Sequence, residues 1–194
     1  SVSHYKGRSM SERKVREWAL PYVNTFNTYI DVGASIGDTS VPFISTFTNI
    51  ICFEPNPNSY KKLLDFNELT CYNTALSDSE EEVNLIIPHQ TNDPEHGSIA
   101  EERNSKWKGE QFVVHTKTLD SYKFKDVSFI KIDVEQAELK VVTGAKETIK
   151  KYKPVILFEN KRNENDCVIE FLEAMGYSSK KYKSDTVAYY YNGE

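Results

Sequence analysis

Acidic side chains follow four apolar runs of this chain: Asp31 within TYIDVG, Glu54 after NIICF, Asp133 and Glu135 after SFIKI, and Glu159 after PVILF. Carboxylates gathered in one place can accept hydrogen bonds from sugar hydroxyls, take a proton from a reacting oxygen, or hold a cation. A single carboxylate at such a position is as often a helix cap or a solvated group. Recurrence on four runs favours a common site, because open parallel sheets place their ligands beyond the carboxyl ends of the strands.

The turn after the first run narrows the ligand. It reads Gly33-Ala34-Ser35-Ile36-Gly37-Asp38, with Ser35 where a dinucleotide fingerprint has its second glycine. Asp38 adds negative charge where a pyrophosphate would lie, so a diphosphate cofactor is disfavoured. S-adenosylmethionine has no phosphate and carries an ammonium and a sulfonium, so Asp31 and Asp38 would attract it. Glu54, at the end of the second run, is placed to accept hydrogen bonds from both hydroxyls of a ribose. Pro55 and Pro57 stiffen the loop that carries it.

These residues need a scaffold that brings the run ends together. A helical stripe over residues 9–23 precedes an alternation that begins near residue 27. It continues as strand TYIDVG, a helix over 37–47, strand NIICFEP, a helix over 58–67, a third strand LTCYNTAL and a strand VNLIIP. Residues 88–110 have no clear period and suggest an acceptor-binding lid or a helix around Ile99 to Trp107. Next come QFVVHTKTL, VSFIKIDV, a helix over 137–152, PVILFEN, a helix over 165–175 and a last strand VAYYY. Strands separated by helices pair in parallel through crossovers. The expected fold class is therefore α/β, Rossmann-like, with a mostly parallel central sheet, helices on both faces and an antiparallel edge strand. Residues 1–26 are expected to form a helical extension packed on the core, and residues 27–194 a single domain.

In YIDVGASIGDTS with FEPNP, in NTALSD, and in TKTLDSY followed by FIKIDVEQAELKVVTGAKETIKKYKPVILFEN, the chain resembles the FkbM family of methyltransferases. The resemblance covers residues 28 to about 160. It implies a class I methyltransferase fold and S-adenosylmethionine-dependent O-methylation of a sugar, glycan or other small-molecule hydroxyl. On that resemblance Asp31, Gly33, Ala34, Gly37, Asp38 and Thr39 lie at the methionine end of the cofactor. Glu54 and Pro55 lie at the ribose, and Thr74, Ala75 and Leu76 beside the adenine. Asp133 faces the methionine moiety or the acceptor. Gln136 departs from the family, which usually has glycine there.

Methyl transfer needs the acceptor oxygen held in line and its proton removed. Asp133, Glu135 and Glu159 are the first candidates for that proton, with Glu138 one helical turn further on. Of the histidines, His115 in QFVVHTKTL is a candidate, and His89 and His96 lie in the aperiodic stretch. A divalent metal is possible, although the carboxylate spacing matches no dedicated metal loop. Cys52, Cys71 and Cys167 lack metal-ligand spacing and read as reduced structural thiols.

The charge balance, 24 basic against 29 acidic side chains for a net −5, opposes a phosphate backbone, so nucleic acid is not an expected partner. No apolar window is long enough to span a membrane. The N-terminus lacks an apolar leader, so a cytoplasmic location is expected. A non-catalytic S-adenosylmethionine-binding module and, less favoured, a nicotinamide-dependent oxidoreductase are the competing readings.

Overall fold

The computed structural model describes residues 10–88, 98–99, 109–134 and 136–190. Glu135, His89, His96 and Trp107 lie outside the described residues, and so does most of the aperiodic stretch. The chain enters through α1 (Met10–Lys14), a π-helical turn (Val15–Ala19) and a 3-10 turn (Leu20–Tyr22). The apolar stripe of this segment is real: Val15 and Ala19 are fully buried in a core cluster.

The sheet is then laid down by β1 (Thr28–Val32) and β2 (Asn49–Phe53). After α2 (Pro57–Leu63) come β3 (Leu69–Tyr72), β4 (Ala75–Leu76), β5 (Glu82–Pro88), β6 (Ser98–Ile99) and β7 (Gly109–Lys117). β8 (Val127–Ile132), α3 (Glu138–Gly144), α4 (Lys146–Tyr152) and β9 (Val155–Glu159) follow. The described chain closes with α5 (Asp166–Glu173), β10 (Tyr177–Tyr182) and β11 (Asp185–Tyr190).

Seven strands form one sheet in the order β10-β11-β9-β8-β1-β2-β3. β3, β2, β1, β8 and β9 are parallel, and β11 and β10 add antiparallel beyond β9. Every residue of β1 and β8 is buried, as strands covered on both faces require. One face packs on Val141, Val142, Ile149, Val168 and Leu172 from α3, α4 and α5. The other packs on Val15, Ala19, Val41, Phe43 and Leu63. The Rossmann-like α/β class is borne out.

Four local expectations need correction. The helix over 37–47 shrinks to a single 3-10 turn, Val41–Phe43. Pro42 lacks an amide donor, and the Thr39 and Ser40 hydroxyls turn inward to Asp31. LTCYNTAL splits into two strands: the Asn73 amide donates to the carbonyls of Glu54 and Pro55, and the chain leaves the sheet to pair β4 with β7. The helix over 137–152 breaks at Ala145. A Cβ on Gly144 would strike the Ser77 carbonyl, while the Asp120 carboxylate accepts the Glu147 and Thr148 amides at 2.9 and 2.8 Å and starts α4 anew. YSSKKY, which is not among the strands expected above, is the edge strand β10, where lysines discourage pairing with another sheet.

A second, four-stranded sheet, β4-β7-β5-β6, was not anticipated as a unit. No described helix is long and apolar enough to cross a membrane.

Candidate functional site

Beyond β1 the chain turns sharply at Gly33. The Gly33 and Ala34 amides both donate to the Phe53 carbonyl, at 2.9 and 3.1 Å, tying the turn to the end of β2. The Asp133 amide donates to the Val32 carbonyl at 2.9 Å, tying it to β8. Gly33 has φ +75, and a Cβ there would run into the Asp133 carbonyl oxygen. Only glycine meets both demands, left-handed backbone and close approach. Ser35 is also left-handed, at φ 50.

Glu54 sits at the junction. One carboxylate oxygen accepts the Ser35 amide at 2.7 Å and the other the Asn56 amide at 2.8 Å. Asn56 in turn caps α2 by accepting the Asn58 amide at 2.9 Å, and Pro57 occupies the first helical turn. Burial pushes the Glu54 carboxyl up to about 7, against the opposing pull of those two amides. It is therefore a buried acid whose lone pairs are partly used and whose charge is poorly compensated.

Asp31 is wholly inside. Its Oδ2 accepts the Thr39 and Ser40 hydroxyls, both at 2.6 Å, and its Oδ1 faces the Lys131 ammonium at 3.3 Å. Lys131 also reaches Asp133 Oδ2 at 3.2 Å. Burial works against the Lys131 charge, but Asp133 and then Asp31 outweigh it and hold the ammonium well above its usual range. Asp133 has a side chain 58% exposed, so this network runs from the core to the open mouth of the strand ends.

A small cleft opens there, lined by Lys14, Lys131, Asp133, Leu157, Phe158 and Asp185. Lys14, on α1, ion-pairs with Asp185 at 2.9 Å and so pins the N-terminal segment over the ends of β8, β9 and β11. Glu159, in register with Asp185, is paired with Lys161 at 2.8 Å. Asp31, Gly33, Ala34, Gly37, Asp38, Thr39, Glu54, Pro55 and Asp133 are thus brought to one edge of the sheet. Thr74 is half-buried and Ala75 and Leu76 are buried where the chain passes from β3 to β7. His115 stands apart, 69% exposed on β7 in the second sheet and opposite Glu82. Among the described residues no three His, Cys, Asp or Glu side chains are grouped to hold a metal.

The chain matches the methyltransferase FkbM domain over residues 31–179. It belongs to the FkbM methyltransferase family. Among solved structures it is similar to the FkbM methyltransferase of Methylobacillus flagellatus (18% identity, TM-score 0.60, covering 86% of this chain and 44% of that one). It therefore spans less than half the length of that relative. A Streptococcus mutans protein solved in complex with SAH (9% identity, TM-score 0.57, covering 93% and 98%) shares the fold. So does an rRNA methylase of Streptococcus thermophilus (8% identity, TM-score 0.52, covering 95% of each chain). No curated protein matches the sequence.

Against this methyltransferase frame, sequence reasoning missed Lys131, Lys14 and Asp185. Lys131 lies inside an apolar run, FIKIDV, and a lysine in a buried strand is itself a signal, since it demands a buried counter-charge. Lys14 and Asp185 are 171 residues apart and carry no local signal.

Proposed function

We propose that this chain transfers a methyl group from S-adenosylmethionine to a hydroxyl oxygen of a sugar, glycan or other small molecule. The observation that carries the reading is the setting of Glu54. A buried carboxylate held by the Ser35 and Asn56 amides, beside a glycine turn with no room for a side chain, suits a nucleoside's ribose hydroxyls. Gly33 to Thr39 would hold the amino-acid end of the cofactor and Thr74 to Leu76 the base. Asp38 and Asp133 supply negative charge toward a cationic ligand, the sign a dinucleotide would not tolerate. S-adenosylmethionine supplies an electrophilic methyl group on a sulfonium.

The protein's own tasks are then to hold the acceptor oxygen and receive its proton. Asp133 fits best: it is open to the cleft, and Lys131 beside it stabilises its ionised form. Glu159 is the second candidate, restrained by Lys161. Both stand closer to this role than His115, which lies on the other sheet. Asp31, with its oxygens taken up internally, would act by fixing the turn. On this reading residues 1–26 would be an extension, whose described part is helical from Met10 to Tyr22 with Lys14 at the cleft, and residues 27–194 would be the methyltransferase domain.

Titration calorimetry with S-adenosylhomocysteine, followed by methyl transfer from labelled S-adenosylmethionine to a panel of hydroxylated acceptors, tests the reading. Binding with turnover on at least one hydroxyl acceptor is expected. Binding without turnover on any acceptor would favour a non-catalytic module, and affinity for NAD in place of S-adenosylhomocysteine an oxidoreductase. The fold shared with an rRNA methylase makes RNA the second acceptor to include. The acidic strand ends favour the small molecule.

A further inference from the structure

Two of the three thiols form a pair. β2 and β3 run parallel with Cys52 directly beside Cys71 in the register. Both side chains join the same apolar cluster, so they lie on one face of the sheet. Neighbouring strands are spaced about 4.8 Å apart, inside the Cα separation of about 4.4–6.8 Å that a disulfide spans. β3 is the outermost strand. Its Cys71 is partly exposed, and Cys52 is buried behind it.

The inner thiol is wired to the turn that follows β1. Cys52 Sγ donates to Ser40 Oγ at 3.3 Å, and Ser40 Oγ donates to Asp31 Oδ2 at 2.6 Å. Cys52 also lies two residues before Glu54 on the same strand. The neighbouring Cys71, and then burial, pushes Cys52 up, and the neighbouring Cys52 lowers Cys71. Thiolate character therefore falls on the sulfur that solvent can reach, as a reactive cysteine requires.

A buried cysteine pair is often nothing more than two small apolar side chains. This pair differs in having one accessible member, one shielded resolving partner in register, and a direct bond to the turn beside Glu54. We propose that Cys71 and Cys52 are an oxidisable dithiol, and that their intramolecular disulfide weakens cofactor binding by removing the Cys52 donor from Ser40. The second half rests on the cofactor reading above.

With a peroxide as oxidant, the Cys71 thiolate attacks one peroxide oxygen: an S–O bond forms, the O–O bond breaks, and hydroxide leaves and is protonated to water. The Cys52 thiol then gives up its proton and attacks the Cys71 sulfur. The S–S bond forms, the S–O bond breaks, and a second water departs. Two thiols are oxidised and one peroxide is reduced to two waters.

The test uses the full chain with Cys167→Ser, to silence the exposed thiol on α5, treated with hydrogen peroxide. Intact mass should fall by two hydrogens, with both remaining thiols lost to a thiol reagent under denaturing conditions and restored by dithiothreitol. Cys71→Ser and Cys52→Ser should each abolish the change. Calorimetry with S-adenosylhomocysteine should show oxidised protein binding about tenfold more weakly than reduced, an ordinary coupling between sites. Persistence of two free thiols, or Cys71 gaining two oxygens without a bridge, overturns the dithiol. A bridge that leaves affinity unchanged overturns the coupling. Reduced protein that fails to bind S-adenosylhomocysteine counts against the cofactor reading instead, because the mass measurement stands without it.

Discussion

The two halves of the strand-end edge are built differently. Beyond β1 and β2 the buried turn and Glu54 are held by main-chain amides: Ser35 and Asn56 on the Glu54 carboxylate, and Gly33 and Ala34 on the Phe53 main-chain carbonyl. At β8, β9 and β11 the side chains are held by ion pairs, Lys131 with Asp133, Lys161 with Glu159, and Lys14 with Asp185, and Asp133 is largely open. Backbone amides fix a position to a fraction of an ångström and do not depend on salt, whereas partly exposed ion pairs are weak and adjustable. On the proposed reading the first half would seat the cofactor and the second the acceptor. Asp31 and Lys131 join the two halves through the core.

The largest effect should come from the amide-built half. Gly33→Ala would place a methyl group against the Asp133 carbonyl at a φ of +75, and both faults act together. A loss above about 4 kcal/mol is expected, read as failure to fold in urea titration. A Gly33→Ala protein of unchanged stability would show that the turn is not rigid, and the contrast between the halves would weaken.

Next is the joint. Lys131→Met keeps the length of the side chain and removes the ammonium that pairs with the fully buried Asp31 carboxylate. Breaking a buried pair on one side costs about 3 kcal/mol, or roughly 10 °C in Tm for a domain of this size. The Thr39 and Ser40 hydroxyls soften the loss without cancelling the charge. Double substitution, Asp31→Asn with Lys131→Met, should recover part of it.

How far these features could be read beforehand follows the same contrast. Glu54 and the Gly33 turn were legible because their signal is local: residue type and spacing after an apolar strand. β1, β2, β8 and β9 were legible because burial on both faces makes them uniformly apolar. The ion pairs of the second half were not, since Lys14 meets Asp185 only through the topology of the whole sheet. β10 was hidden by its serines and lysines, which are the residues an edge strand tolerates. Helices expected over 37–47 and 137–152 failed where a distant group competed for the backbone or its side chains: Asp31 for Thr39 and Ser40, and Asp120 for the amides of Glu147 and Thr148.

A smaller effect is the pH response of Glu54. Its folded carboxyl titrates at about 7, above the ordinary 4.5, so the folded state binds the proton more tightly than the unfolded one. Apo stability from this group is full below pH 4.5 and is lost as pH rises toward 7, by about 3 kcal/mol at most. Ligand hydroxyls act in the opposite sense, because they favour the carboxylate. S-adenosylhomocysteine should therefore bind more tightly as pH rises to 7, by up to about tenfold per unit, with a proton released on binding. Calorimetry in buffers of differing ionisation enthalpy measures that proton. Glu54→Gln should remove both the pH dependence and the release.

The smallest effect sharpens the other half. Gln136 holds a φ of +63 just before α3, in the left-handed region that favours glycine. A left-handed non-glycine residue costs about 1–2 kcal/mol, while glycine adds freedom to the unfolded chain that returns about half of that. Gln136→Gly should therefore stabilise the protein by no more than about 1 kcal/mol in urea titration. Its side chain is exposed, three residues beyond Asp133 in sequence, so the variant should leave S-adenosylhomocysteine affinity unchanged and alter only KM for the acceptor. If cofactor affinity changed with it, the two halves of the edge would not be separable, and the division between a fixed cofactor seat and an adjustable acceptor seat would have to be given up.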